Sequence, residues 1–402
     1  GVQTCALPIF WLAPPASAAT NDTFNAQQWG LSSTGAMAVW STTRGAGVIV
    51  AIVDSGTGPH PDLTANIDPG LGISGGIESP DYADVDNEGH GTHVSGIVAA
   101  VADNALGVAG VAPAARILPI RVLDANGSGD SRDVARGIRI AADRGARVIN
   151  LSLGGVSEST SVTQAIDYAT SKGALVVAAA GNGGSLSTPK WPASYDGTIA
   201  VTSVDADDQS PAFAQRGDYI DISAPGVRIL STAQGEYNSQ SGTSMSAAFV
   251  SGAAALLFSA RPQLTPAEVR EMLLLSAIDI GSPGRDAIYG AGRLNIPGAF
   301  AILAARYPST ASISIDGPAR VGTPLTALSV GTISNLQWYR CQDVGTALTA
   351  VPPDCVAIAG ANTATYSPTL EDFRRTIRVG ATIDAQTRIS VTVGKVVAIW
   401  SR

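Results

Sequence analysis

Val48-Ile49-Val50-Ala51-Ile52-Val53 is apolar without a break and stops at Asp54-Ser55-Gly56. A strand with one wet face alternates polar and apolar residues. An unbroken run predicts a strand covered on both faces, as in a parallel sheet between two helix layers. Similar runs recur at 117–123, 148–153, 175–180 and 199–204. Helical patterns lie between them. In 132–145, Val134, Ile138 and Ala141 fall at i, i+4 and i+7, with Gly145 placed to end the helix. Thr265-Pro266-Ala267-Glu268 has the form of a capping box with proline at the first helical position. Strands alternating with helices predict an α/β fold, a doubly wound and mostly parallel sheet.

Near Ala305 the pattern changes. Arg306-Tyr307-Pro308-Ser309-Thr310 reads as a linker, and the strings beyond it are short and β-rich, at 312–315, 336–340, 364–366, 376–383 and 389–393. The expected organisation is a leader remnant over 1–18, an α/β domain over 19–306, a linker over 307–311 and a small all-β sandwich over 312–402.

Composition narrows the function. With 45% hydrophobic residues in 402, the chain can bury a large core. Charged residues make up only 14% and the net charge is −8, which argues against a nucleic-acid binder, since that needs clustered Lys and Arg. The acidity reads as solubility. Ammonium groups come only from Lys172, Lys190 and Lys395. No run of about 20 apolar residues follows residue 20, so no membrane span is expected. Ala16-Ser17-Ala18 has the small-x-small form of a signal-peptidase site and follows the apolar patch Ile9-Phe10-Trp11-Leu12-Ala13, without a basic segment before it. Residues 1–9 (GVQTCALPI) read as translated sequencing-adapter DNA in front of a truncated signal peptide. Export is expected, with a random apolar start on a cytosolic protein as the alternative, and so is a monomer. Cys5 would leave with the signal. Cys341 and Cys355 remain as a pair. In an exported protein they would bridge, closing a loop of about 15 residues and contributing roughly 3 kcal/mol. In the cytosol they would be free thiols.

Three strings stand in one fixed order: Asp54-Ser55-Gly56, His90-Gly91-Thr92-His93 and Gly242-Thr243-Ser244-Met245-Ser246. They offer a carboxylate, an imidazole and a hydroxyl. A serine hydroxyl is a poor nucleophile until a histidine takes its proton, and that histidine needs a buried acid to hold its tautomer. Asp54 closes the first strand, and ligands in an open α/β sheet sit beyond the carboxyl ends of strands. His90 opens a helix-like run over 94–101, and Ser244 begins a small-residue helix that continues to Leu257. Taken singly, these are a turn aspartate, a packed histidine and an N-cap serine. Taken together and in order, they are the parts of a nucleophilic hydrolase. Of the other histidines, His60 precedes Pro61 in a loop, and His93, one turn beyond His90, is expected to pack structurally. A zinc site on His90 and His93 would want a third ligand and a glutamate base, but glycine and threonine intervene, so no catalytic metal is expected.

With these neighbours in this order, the chain resembles the subtilisin-like serine proteases over most of 27–304. The resemblance implies a secreted serine endopeptidase that cuts protein or peptide substrates through an acyl-enzyme. Ser244 would be the nucleophile, His90 the base, and Asp54 the acid that orients it. Ala179-Ala180-Gly181-Asn182-Gly183 matches the family's oxyanion segment, which assigns donation to the Asn182 amide and the Ser244 backbone N–H; an Asn-Gly step is also a common turn. Ser152-Leu153-Gly154 and Gly127-Ser128-Gly129 match the segments that pair with substrate backbone as an added strand, and otherwise read as loop glycines. Asp62 and Asn104 sit where the family places ligands of a structural calcium, with Asp22 a third candidate; solvated loop acids are the alternative. The acidic stretch Glu78, Asp81, Asp84, Asp86, Glu88 reads as a calcium loop or a solvated rim. The chain departs from the family after the nucleophile, where Ser246-Ala247-Ala248-Phe249 replaces the usual Ala-Ser-Pro-His. Trp338-Tyr339-Arg340-Cys341 and the later 359–366 are similar to bacterial Ig-like repeats, a spacer or binding module of unknown partner. Two further readings stay open: a secreted binding or adhesion protein with an inactive core, and a narrow-specificity processing protease.

Overall fold

The computed structural model describes residues 20–185, 188–307, 312–330, 333–342, 351–383, 386–390 and 396. The leader segment, most of the 307–311 linker and the end of the last expected strand lie outside them. Two compact units divide between Leu303 and Ala304.

In the first unit the strands are β1 Ile49–Asp54, β2 Leu71–Ser74, β3 Ile77–Ser79, β4 Arg116–Arg121, β5 Val148–Leu151, β6 Leu175–Ala179, β7 Thr198–Val204 and β8 Ile222–Pro225. They form one eight-stranded sheet in the order β3-β2-β4-β1-β5-β6-β7-β8. Every pairing is parallel except that of the edge hairpin β2–β3. A separate hairpin joins β9 Ile229–Thr232 to β10 Tyr237–Gln240. The helices are α1 Trp29–Thr34, α2 His90–Ala99, α3 Ser131–Asp143, α4 Thr160–Ser171, α5 Thr243–Ala260, α6 Pro266–Leu275 and α7 Ile296–Arg306.

The unbroken apolar run behaves as its pattern requires. Val50, Ala51, Ile52 and Val53 are all fully buried. Ala51 and Val53 share a core with Val134 and Ile138 of α3 and Ile166 of α4, while α2 and α5 also pack on β1. Both faces of the strand are therefore covered. Because β1 has β4 on one side and β5 on the other, the strand order reverses there. Such a switch point opens a crevice at the carboxyl ends of the strands. Asp54 is the last residue of β1, and Ser152 follows directly on β5.

Among the described residues α5 is the one helix long and apolar enough to cross a membrane, yet it is almost wholly buried inside this unit. It is a core helix. The segment that departs from the family pattern lies in its first turns. Ser246 Oγ donates to the Ala224 carbonyl at 3.0 Å and meets Ser203 Oγ at 2.9 Å. Phe249 is buried with its ring against Gly30 of α1, where a methyl group would overlap it.

The second unit has a three-stranded antiparallel sheet from β11 Ser312–Asp316, β12 Leu325–Val330 and β15 Thr365–Tyr366. A four-stranded one combines β13 Ile333–Cys341, β14 Cys355–Ala357, β16 Thr376–Ile383 and β17 Gln386–Ile389. Ile313 and Leu325 from the first sheet share one core with Trp338, Ile377 and Val379 from the second. Trp338 is fully buried and donates its indole N–H to the Thr363 carbonyl at 2.9 Å. Cys341 and Cys355 stand opposite each other on β13 and β14 and are joined by a disulfide.

Candidate active site

Gly89, at φ 68°, turns the chain into α2, so the helix begins at His90 itself rather than a turn later. His90 Nδ1 lies 2.7 Å from Asp54 Oδ1, and Asp54 is fully buried. The same oxygen accepts the Ser55 N–H at 2.7 Å, while Asp54 Oδ2 has no partner among the described residues. The carboxylate's charge bears directly on the imidazole. Burial disfavours imidazolium. Attraction to Asp54, the hydrogen bond to it, and the charges of Asp86 and Asp84 outweigh that and hold His90 above the ordinary imidazole value of 6.5.

The end of α2 that carries His90 is braced by an acid the sequence reading did not single out. Asp84 Oδ2 accepts the Thr92 N–H at 2.8 Å and its hydroxyl at 2.6 Å. Asp84 Oδ1 accepts Ser55 Oγ–H at 2.9 Å, and Ser55 Oγ accepts the Gly91 N–H at 3.0 Å. Asp84 therefore ties the strand end holding Asp54 to the helix start holding His90. Burial pushes its carboxyl above the usual range. In an acidic stretch such a brace has the same sequence signature as a solvated rim.

Ser244 is the second residue of α5, not its N-cap; Gly242 holds that place. First-turn N–H groups have no intrahelical acceptor, so the Ser244 backbone N–H is available to a ligand. Its hydroxyl donates to the Ser152 carbonyl at 3.3 Å, and among the described residues it forms no hydrogen bond to His90. Triad hydrogen bonds are often loose without substrate. One cavity is lined by Asp54, His90 and Gln240, another by Asn182, Thr243 and Ser244, and Ser152, Leu153 and Gly154 wall both.

Asn182 follows β6 after the turn at Gly181. Its Oδ1 accepts both the Thr243 N–H at 2.9 Å and the Thr243 hydroxyl at 3.0 Å. With the oxygen so committed, the amide NH₂ is the end left to donate, close to Gly242. Thr243 Oγ1 in turn accepts the Gly181 N–H at 3.0 Å. Thr243 therefore fixes which way Asn182 points, a role its sequence position does not announce.

Gly127, Ser128, Gly129, Leu153 and Gly154 line one cavity of about 340 Å³, so the two expected substrate segments face a common groove. The other histidines serve the fold. His93 is fully buried, with Nε2 donating to the Ile229 and Asn238 carbonyls at 3.0 and 3.2 Å, and burial pulls it down to about 4. It faces β9 and β10 while His90 faces Asp54, so the two do not converge on a metal. His60 accepts the Asp62 N–H and stacks edge-on with Tyr237.

Asp22 and Asp62, from two other segments, both reach the loop after α2 that carries Asn104. Asp62 is fully buried; Oδ1 accepts Asn104 Nδ2–H at 2.7 Å, and Oδ2 accepts the Val108 N–H at 2.8 Å and the Tyr237 hydroxyl at 3.1 Å. Asp22 accepts the Asp103 and Asn104 N–H groups, both at 3.1 Å. Two buried carboxylates from separate segments thus meet one loop, hydrogen-bonded without a cationic side chain, and form a donor set that suits a hard cation.

A family model described as the Subtilase family matches residues 45–292. Thermitase from Thermoactinomyces vulgaris is 41% identical over 238 residues, 59% of this chain and 84% of that protein. A thermophilic serine proteinase from Bacillus sp. (strain AK1) is 43% identical over 274 residues, 67% of each chain. Among solved structures, a protease from Pseudoalteromonas arctica PAMC 21717 superposes with a TM-score of 0.65 at 33% identity, covering 71% of this chain and 99% of that one.

Proposed function

This chain belongs to the subtilase family and is a serine endopeptidase, and from that premise we propose how its residues divide the work. Ser244 Oγ attacks the scissile carbonyl as His90 Nε2 takes its proton, giving a tetrahedral intermediate. Collapse to the acyl-enzyme expels the amine, which receives that proton from His90. Water then attacks by the same route and releases the acid. Asp54 holds the Nδ1–H tautomer and offsets the imidazolium charge. The Asn182 amide and the Ser244 N–H receive the oxyanion, and 127–129 and 152–154 take the substrate backbone as a strand between them. The observation that carries this reading is the 2.7 Å bond between His90 and a buried Asp54.

Asn182→Ala is the discriminating variant. The oxyanion forms only in the transition state, so kcat should fall by about 10²–10³ with KM little changed, the loss known for subtilisin's own oxyanion asparagine. A rise in KM at constant kcat would make Asn182 a ground-state binding residue instead.

We also propose that a structural calcium ion is held by Asp22, Asp62 and Asn104, whose amide would turn its oxygen inward. Chelation should then lower the thermal midpoint by about 5–10 °C, the size expected for losing a ligand well above its dissociation constant. A midpoint unmoved by EDTA in calorimetry removes the ion from the account. The disulfide suits an oxidising compartment, which supports export, with the second unit as spacer or binding module.

A further inference from the structure

We propose that Lys190 sets the primary specificity: its ammonium recognises a carboxylate on the residue whose carbonyl Ser244 attacks, so that the enzyme cuts preferentially after acidic residues. The proposal rests on the roles given above to Ser244 and Asn182 and adds a substrate class to them.

The cavity beside Ser244 has a volume of about 170 Å³. Its walls are 152–154, which follows β5, and Ala179, Gly181 and Asn182 at and just beyond the end of β6, with Ser244 bordering both. The side chain of the acyl residue leaves the carbon next to the attacked carbonyl. A cavity touching both the nucleophile and the oxyanion donor is where that side chain goes. Lys190 is the one charged residue among the described residues lining it, and no acid is among them.

The lysine stem is built into this pocket rather than draped over it. A Cβ on Gly181 would lie 2.6 Å from Lys190 Cγ, and one on Gly154 would lie 3.5 Å from Lys190 Cβ. The missing Cβ at Gly181 is therefore what makes room for the stem, while Gly154 lies in ordinary contact with it. Its backbone is held too. The neighbouring Trp191 exchanges two 2.8 Å hydrogen bonds with Gly155, and the Lys190 carbonyl accepts the Ser194 N–H at 2.9 Å and its hydroxyl at 2.8 Å. An apolar side chain entering here would strip water from an ammonium and leave it unpaired, and a basic one would be repelled. A carboxylate supplies a charged partner, and none of the described residues lining the cavity does. None of this has a sequence signature, since a lysine in a Thr-Pro-Lys-Trp-Pro loop reads as surface.

The test is kcat/KM on peptide anilides identical except for the residue before the scissile bond: Glu, Asp, its neutral counterpart Gln, and Leu. For the native chain, Glu should exceed Gln by about tenfold, the worth of a hydrogen bond to a charged group, and the ratio should shrink with added salt. Lys190→Met should bring the Glu/Gln ratio close to one, Lys190→Arg should keep it above one, and Lys190→Glu should invert it. Fluorophosphonate labelling of each variant at Ser244 shows that its site is folded. A native ratio of one or less, or an unchanged ratio in labelled Lys190→Met, overturns the proposal and leaves the nucleophile standing. If Ser244→Ala still cleaves the Leu peptide at the native rate, the nucleophile assignment falls and takes this proposal with it.

Discussion

Ser244→Ala should reduce kcat on a peptide substrate by about 10⁶-fold with KM little changed. That magnitude is the loss known for subtilisin's own nucleophile, carried across to this chain rather than read from its geometry. The substitution removes one oxygen. What it removes chemically is the bond that splits one difficult acyl transfer into two easier ones. The cavity and the 152–154 wall remain, as do Asn182 and the backbone N–H at position 244, so binding and some oxyanion stabilisation survive. A residual rate above that of water is therefore expected, not zero. Among the described residues Ser244 Oγ donates only to the Ser152 carbonyl, a bond worth little to the fold, so stability should hardly move. A protein that acted by binding alone, with an inert core, would show no such loss. Casein hydrolysis by purified variant and native protein measures the ratio. A fall of less than about tenfold would mean that another group attacks the substrate.

Asp54→Asn should cost about 10⁴-fold in kcat, the size known where this exchange leaves the geometry intact but traps the wrong histidine tautomer. Asp54 Oδ1 accepts the His90 Nδ1–H. An asparagine amide facing Nδ1 donates instead. The ring proton then sits on Nε2, the nitrogen that must accept the serine proton. The pH profile gives a second reading. His90 is active only when neutral, and its pKa stands above 6.5 because the pull of Asp54, then of Asp86 and Asp84, overcomes the opposing effect of burial. Raising that pKa moves the acid limb of kcat/KM to higher pH, so native activity should still be climbing above pH 6.5. Removing the Asp54 charge removes the largest upward contribution, and the limb should move down even as the plateau collapses. A limb that stays in place would mean that some group other than the His90–Asp54 pair titrates in it.

Strands buried on both faces were legible because residues 48–53 are apolar without alternation, rich in Val and Ile, and too short before Asp54-Ser55-Gly56 for a buried helix. The runs at 148–153 and 199–204 coincide with β5 and β7 to within a few residues for the same reason. The edge hairpin β2–β3 left no such mark. Its strands are short, its turn is Gly75-Gly76, and Ile77 is exposed, so neither periodicity nor a long apolar run marks it. The turn's N–H groups are instead received by Asp133, a buried acid on α3 that reads from its surroundings as a solvent-facing helix residue. Within the site, the reacting residues were readable because chemistry restricts their types. The residues that aim them were not. Thr243, Asp84 and Ser55 act through hydrogen bonds that span up to 62 positions, and each belongs to a residue type that occurs everywhere. Lys190 is the clearest instance: its meaning comes from Gly181, 9 positions before it, whose missing Cβ makes room for its stem.

A buried acid and an imidazole activate one particular hydroxyl. Fluorophosphonate labelling followed by peptide mapping tests it most directly. One modified residue is expected, Ser244, labelled at a rate that rises with pH as His90 loses its proton, with strongly slowed labelling in Asp54→Asn. A label on any other residue, or labelling of Ser244 at a rate indifferent to both pH and Asp54, would contradict it.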